Sequence, residues 1–220
     1  MKSVHGVWSG LVQRGVMAGI VFLSMMAHVQ AAPPAATAAK TVLVMGDSLS
    51  AGYGLSMAQG WVTLTAERMK TSHPGWRVVN ASISGETSAG GASRVKAELA
   101  RVKPAIVVIE LGANDGLRGL SLVQTRGNLE TMIRAAQSSK AKVLLIGMRL
   151  PPNFGPEYTQ GFESNYATLS KQYKTTLLPF LLAPVAGDRG NFQDDDLHPT
   201  AAMQPKLRDH VWVALAPLLK

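Results

Sequence analysis

The chain has 220 residues, 46% of them hydrophobic and 16% charged, and contains no cysteine. That length and apolar content suit a single domain with a sizeable core and argue against wholesale disorder. Without cysteine there is no disulfide framework, thiolate metal site or cysteine nucleophile. The formal charge of +8 comes from 22 Lys and Arg against 14 Asp and Glu. The basic residues are scattered, as in Arg68, Lys70, Arg77, Arg94, Lys96, Arg101 and Lys103. This reads as a solvated surface, one that also attracts anionic substrates or lipids. With no interleaved aromatics and no reader motif, the pattern argues against a nucleic-acid partner.

Residues 1–31 read as a signal peptide. Lys2 and Arg14 supply positive charge, Val16–Ala27 is an apolar run of the right length, and Val29-Gln30-Ala31 resembles a peptidase site. The run is too short to span a bilayer comfortably, and no cysteine follows it to carry a lipid. The expectation is a periplasmic or secreted protein with no stable membrane insertion after cleavage; the alternative is an uncleaved anchor. Residues 32–39, rich in Ala with Pro33 and Pro34, read as a flexible lead-in to a domain over 40–220.

The domain alternates apolar strands and amphipathic helices. Strands are predicted at 41–45, 77–80, 105–111, 142–146 and 176–180, and helices at 61–71, 88–101, 122–137, 161–173 and 199–219. Near-continuous apolar strands between helices imply a parallel sheet covered on both faces. Right-handed crossovers then give an α/β fold, a three-layer α/β/α sandwich. Sites in such folds lie beyond the carboxyl ends of the strands. Gly46–Ser50, Ser82–Glu86 and Gly112–Asp115 each follow a strand, so they are expected to converge on one edge. Trp61, Trp76 and Trp212 read as packing residues, and His73 and His210 as surface residues.

Ser48, in Gly46-Asp-Ser-Leu-Ser50, is placed to project a hydroxyl just after a buried strand. Asp and Ser are equally ordinary turn and cap residues. Glycine stands two places before Ser48, but Ser50 replaces the second glycine of the G-x-S-x-G elbow. Asp195-Asp-Leu-His198-Pro199 offers an imidazole with a carboxylate three residues away. A hydroxyl nucleophile needs such a base and such an orienting group. The same loop also reads as a helix cap, or as a metal site built from Asp194, Asp195, Asp196 and His198. An acyl-transfer oxyanion needs preset donors. The backbone N–H groups of Ser48 and Gly85 and the amide of Asn114 are candidates, although Gly85 and Asn114 are also common turn residues.

In combination these blocks resemble the SGNH (GDSL) hydrolase family. Gly46-Asp-Ser-Leu-Ser50, Asn80–Gly85, Gly112-Ala-Asn-Asp115 and Asp195–Pro199 are similar to its first, second, third and fifth blocks. The similarity is nearest to the periplasmic branch of multifunctional acyl-CoA thioesterases, lysophospholipases and arylesterases, through 46–53, 79–87, 114–119, 149–151 and 177–180. The resemblance implies a flavodoxin-like SGNH fold with Ser48 as nucleophile and Asp195 and His198 completing a triad. It also implies an oxyanion hole of Ser48, Gly85 and Asn114. The implied enzyme cleaves acyl esters, thioesters or lysophospholipids as a monomer, with no metal or other cofactor. Asp196 stands where that branch is expected to have glycine. Leu117 and Phe154 are the expected acyl-chain contacts. Competing readings are a short-chain or carbohydrate acetylesterase of the same fold and a non-catalytic flavodoxin-like binding module.

Overall fold

The computed structural model describes residues 39–220. The expected signal peptide, and the lead-in up to residue 38, lie outside the described residues. Five strands, β1 (Lys40–Gly46), β2 (Trp76–Asn80), β3 (Ile106–Glu110), β4 (Lys142–Ile146) and β5 (Thr176–Leu178), form one parallel sheet in the order β2-β1-β3-β4-β5. The central strand β3 is buried at every residue, and β1 at all but its first. That two-sided burial explains their unbroken apolar sequence. The edge strand β2 is only half-covered.

Among the described residues seven α-helices accompany the sheet: α1 (Ser48–Ala51), α2 (Trp61–Ser72), α3 (Ser88–Val102), α4 (Ala113–Leu117), α5 (Leu122–Ser138), α6 (Pro156–Tyr173) and α7 (Gln204–Leu215). Helix α5 packs between α3 and α6, whereas α2 packs on α7. The apolar stripe of α5, Leu129, Met132, Ile133 and Ala136, is buried. The chain winds outward from β1 in both directions, so the strand order reverses between β1 and β3. Doubly wound sheets open a crevice at this point, beyond the carboxyl ends of the strands. The segments leaving β1 and β3 carry Ser48 and Asn114.

The strand expected at 176–180 ends at Leu178, and the structure departs further from the predicted helices and loops in three places. Helix α6 begins at Pro156, five residues before the expected start. Gly161 reads as a boundary, yet it lies inside the helix, where a Cβ would come within 2.7 Å of the Leu122 side chain. The expected closing helix over 199–219 is divided. Pro199 pairs with Phe192 in a β-bridge, a 3₁₀ turn covers Ala201–Met203, α7 follows, and a second 3₁₀ turn covers Ala216–Leu219. Prolines 205 and 217 fall in first turns, where a missing N–H is tolerated. The segment after β3, expected as a loop, contains α4.

Candidate active site

The β1–α1 junction is built around a close approach. A Cβ on Gly46 would lie 2.6 Å from Ser50 Oγ and 2.7 Å from Glu110 Oε2, so only glycine fits. Asp47 then caps α1, its Oδ1 accepting the Leu49 N–H at 3.0 Å. Ser48 is the first residue of this short helix. Its backbone N–H has no hydrogen-bond acceptor among the described residues.

Ser48 Oγ lies 2.7 Å from His198 Nε2. His198 Nδ1 lies 2.6 Å from Asp195 Oδ2. The other Asp195 oxygen accepts the N–H groups of Leu197 at 2.9 Å and His198 at 3.0 Å. Burial pushes the Asp195 pKa upward. The hydrogen bonds from His198 and Leu197 outweigh it and bring the carboxyl to about 2. An acceptor ionised at neutral pH, facing Nδ1, holds the neutral imidazole with its proton there, leaving Nε2 free to accept one.

The loop over 192–200 is rigidly tied. Gln193 N–H donates to His198 O at 2.8 Å, and Thr200 N–H to Asn191 O at 2.9 Å. Gln193 Nε2 donates across to Tyr53 O at 3.0 Å, joining the histidine loop to the serine loop. The Tyr53 ring covers the imidazole with centroids 4.7 Å apart. Asp196, at the rim of the cavity, pairs with Arg189 at 2.8 Å, and among the described residues the neighbouring acids do not converge on one point. Asp196 adopts φ +59°, a left-handed conformation that glycine takes without strain, which gives a physical reason to expect glycine at this position.

Asn114 is placed by α4, and α4 by the buried Asp115. Asp115 Oδ2 accepts the Ser88 N–H at 2.8 Å, and Oδ1 accepts Thr125 Oγ1 at 3.3 Å, stitching α4 to the starts of α3 and α5. Asn114 Nδ2 donates to Asp47 Oδ2 at 3.2 Å and to Glu86 O at 3.1 Å. Gly85, with φ +77°, precedes that carbonyl, and its own carbonyl accepts from Arg118 at 3.0 Å. Beneath the site lies Glu110, buried at the end of β3. It accepts Ser50 Oγ–H at 2.6 Å and Asp47 N–H at 3.4 Å. Burial, reinforced by the nearby Asp47 carboxylate, raises its pKa well above the usual carboxylate range.

A cavity of about 390 Å³ opens beside Ser48, Asn114 and His198. Its walls are mostly apolar, with Leu117, Met148, Leu150, Phe180, Leu182 and Phe192, and also carry Arg149 and Asp196. Leu117, one of the two expected acyl-chain contacts, is thus a cavity-lining residue. Phe154 is not among the lining residues. It sits in a 3₁₀ turn started by Pro152, with its ring against Tyr158 at 6.4 Å. Sequence reasoning also missed Tyr53, Asp47, Glu110 and the aromatic walls Phe180 and Phe192. Asp47 stands inside the Gly46–Ser50 block, whereas the only signal available for Glu110 was its position at a strand end.

Residues 44–204 match the model of the GDSL-like lipase/acylhydrolase family. The chain belongs to that family. Among its relatives this GDSL hydrolase is 52% identical to esterase TesA of Pseudomonas aeruginosa, over 83% of its own length and 90% of the relative's. It is 40% identical to thioesterase 1/protease 1/lysophospholipase L1 of Escherichia coli, over 84% of its own length and 87% of the relative's. Among solved structures it superposes on the psychrotrophic esterase EstA from Pseudoalteromonas, in a form inhibited by monoethylphosphonate. The TM-score is 0.78 at 38% identity, covering 82% of this chain and 98% of that one. The family and the five-stranded parallel α/β sheet agree with the sequence reading.

Proposed function

We propose that this GDSL hydrolase cleaves acyl esters and thioesters, lysophospholipids among them, through an acyl-enzyme on Ser48. The observation that carries the reading is the continuous hydrogen-bonded chain Ser48 Oγ–His198–Asp195, with links of 2.7 and 2.6 Å, at the mouth of an apolar cavity. Ser48 Oγ attacks the acyl carbon as its proton passes to His198 Nε2. Asp195 stabilises the imidazolium. The oxyanion takes hydrogen bonds from the backbone N–H groups of Ser48 and Gly85 and from Asn114 Nδ2. His198 then protonates the departing alcohol or thiol, and water repeats the sequence on the acyl-enzyme. No step calls for a metal or an organic cofactor.

The cavity supports an acyl chain rather than an acetyl group alone. Leu117, Leu150, Phe180 and Phe192 offer an apolar wall far larger than a two-carbon acyl group needs. The named activities of the relatives, esterase and thioesterase/lysophospholipase, support the same substrate classes. The leader-like sequence over 1–31 supports export to the periplasm or beyond. Among the described residues no helix is long and apolar enough to cross a membrane. The test is a hydrolysis panel of acetyl to decanoyl aryl esters, a long-chain acyl thioester and a lysophospholipid, with Ser48→Ala as control. Turnover rising with chain length and abolished in the control is expected. Turnover confined to acetyl esters, or retained in Ser48→Ala, refutes the proposal.

A further inference from the structure

Asp47 is a buried carboxylate that the mechanism above does not use. It is 1% exposed and has no cationic side chain bonded to it among the described residues. Burial raises its pKa to about 6, against the opposing pull of the Leu49 N–H, His198 and Asn114. Capping the four-residue α1 does not require this: Ser, Thr or Asn would take the Leu49 N–H without placing a charge in the interior. A strained choice beside a reacting group calls for a second task.

The second oxygen indicates the task. Oδ1 is occupied by the Leu49 N–H, whereas Oδ2 accepts Asn114 Nδ2–H at 3.2 Å. The other hydrogen on that nitrogen points to Glu86 O at 3.1 Å. The carboxamide is thus held in plane by acceptors from two loops, one leaving β1 and one leaving β2. We propose that Asp47 is a positioning residue, holding the Asn114 carboxamide where Nδ2 joins the Ser48 and Gly85 N–H groups as an oxyanion donor. An arriving oxyanion, a stronger acceptor than a carbonyl, shares the hydrogen now directed at Glu86 O. The amide plane is set beforehand by Asp47, so little reorganisation accompanies charge development. Glu110, donating no charge while protonated, supports the Asp47 backbone from below. The inference rests on the reading of Asn114 given above.

A double-mutant cycle on kcat for a short-chain p-nitrophenyl ester tests it. Asp47→Asn keeps size and an oxygen for the Leu49 N–H, but turns an NH₂ toward the Asn114 NH₂. Expected is a fall in kcat of about 10- to 100-fold in the wild-type background, with KM within about threefold. In an Asn114→Ala background the same substitution should lower kcat by less than about threefold, because the group it positions is gone. A merely structural Asp47 gives equal losses in both backgrounds, and that result overturns the proposal. Should Asp47→Asn fail to fold, Asp47→Ser, which also caps Leu49, enters the cycle with the same expectations. If Asn114→Ala alone leaves kcat unchanged, the oxyanion assignment and this proposal fall together. If only the coupling is missing, the assignment stands and the proposal falls.

Discussion

Replacing Asp195 by Asn isolates the orientation of the imidazole from everything else in the site. The Asp195 Oδ1 position accepts two backbone N–H groups, at 2.9 and 3.0 Å. In the variant the amide oxygen must stay there, which forces the NH₂ toward His198 Nδ1. Nδ1 becomes an acceptor, and the ring proton moves to Nε2, which faces Ser48 Oγ at 2.7 Å. That tautomer cannot take the serine proton. The equivalent change in a buried protease triad lowers kcat about 10⁴-fold, or about 5.5 kcal/mol on the barrier. The Asp195 side chain here is 36% exposed, so water substitutes in part and a loss of about 10³-fold is expected. Steady-state hydrolysis of a p-nitrophenyl ester reads it, with Asp194→Asn and Asp196→Asn as controls that stay within about threefold of wild type. Near-wild-type activity in Asp195→Asn, or a large loss in either control, refutes the reasoning. The wild-type carboxyl sits at about 2, below its ordinary 3.8. Its contribution to stability is therefore present above about pH 4 and is lost as pH falls toward 2.

Asn114→Ala should lower kcat by about 100-fold with little change in KM, as expected for a donor that acts mainly in the transition state. Glu110→Gln should stabilise the fold, and more so at pH 8 than at pH 5. The folded-state pKa of Glu110 is raised, so as pH climbs past the unfolded value the unfolded chain releases a proton that the folded chain keeps. While only the unfolded state titrates, wild-type stability falls by about 1.4 kcal/mol per pH unit; melting curves of both proteins across that range check the sign. Leu117→Ala should lower kcat/KM for decanoyl esters about tenfold relative to butyryl esters. Phe154→Ala should leave that ratio unchanged, because its ring packs on Tyr158 rather than facing the cavity; a chain-length series on both variants decides between them.

The parallel sheet was legible because strands buried on both faces must be apolar throughout, as β1 and β3 are. The convergence of Ser48, Asn114 and His198 on one cavity followed from the rule that sites gather beyond strand carboxyl ends. Helix α4 was not legible, since Gly112 and Gly116 read as loop residues. Its helical turn is held by bonds from Asp115 to residues of α3 and α5 that lie far off in sequence. That Phe154 lies outside the cavity lining was not legible for a related reason: nothing local says which way a proline-started turn points its last side chain. In the sequence Asp47 is one residue of the Gly46–Ser50 block and Glu110 an ordinary acid at a strand end. Their burial becomes visible only when β1 and β3 lie side by side, with Gly46 opposite Glu110.

A covalent acyl-enzyme on Ser48 is tested most directly by locating the adduct of an alkyl fluorophosphonate. After trypsin digestion, mass spectrometry of the peptide spanning residues 41–68, which contains Ser48, Ser50 and Ser56, identifies the modified residue. Stoichiometric modification of Ser48 is expected, absent in Ser48→Ala and strongly slowed in His198→Ala. Modification of any other residue, or labelling that persists without Ser48, contradicts it.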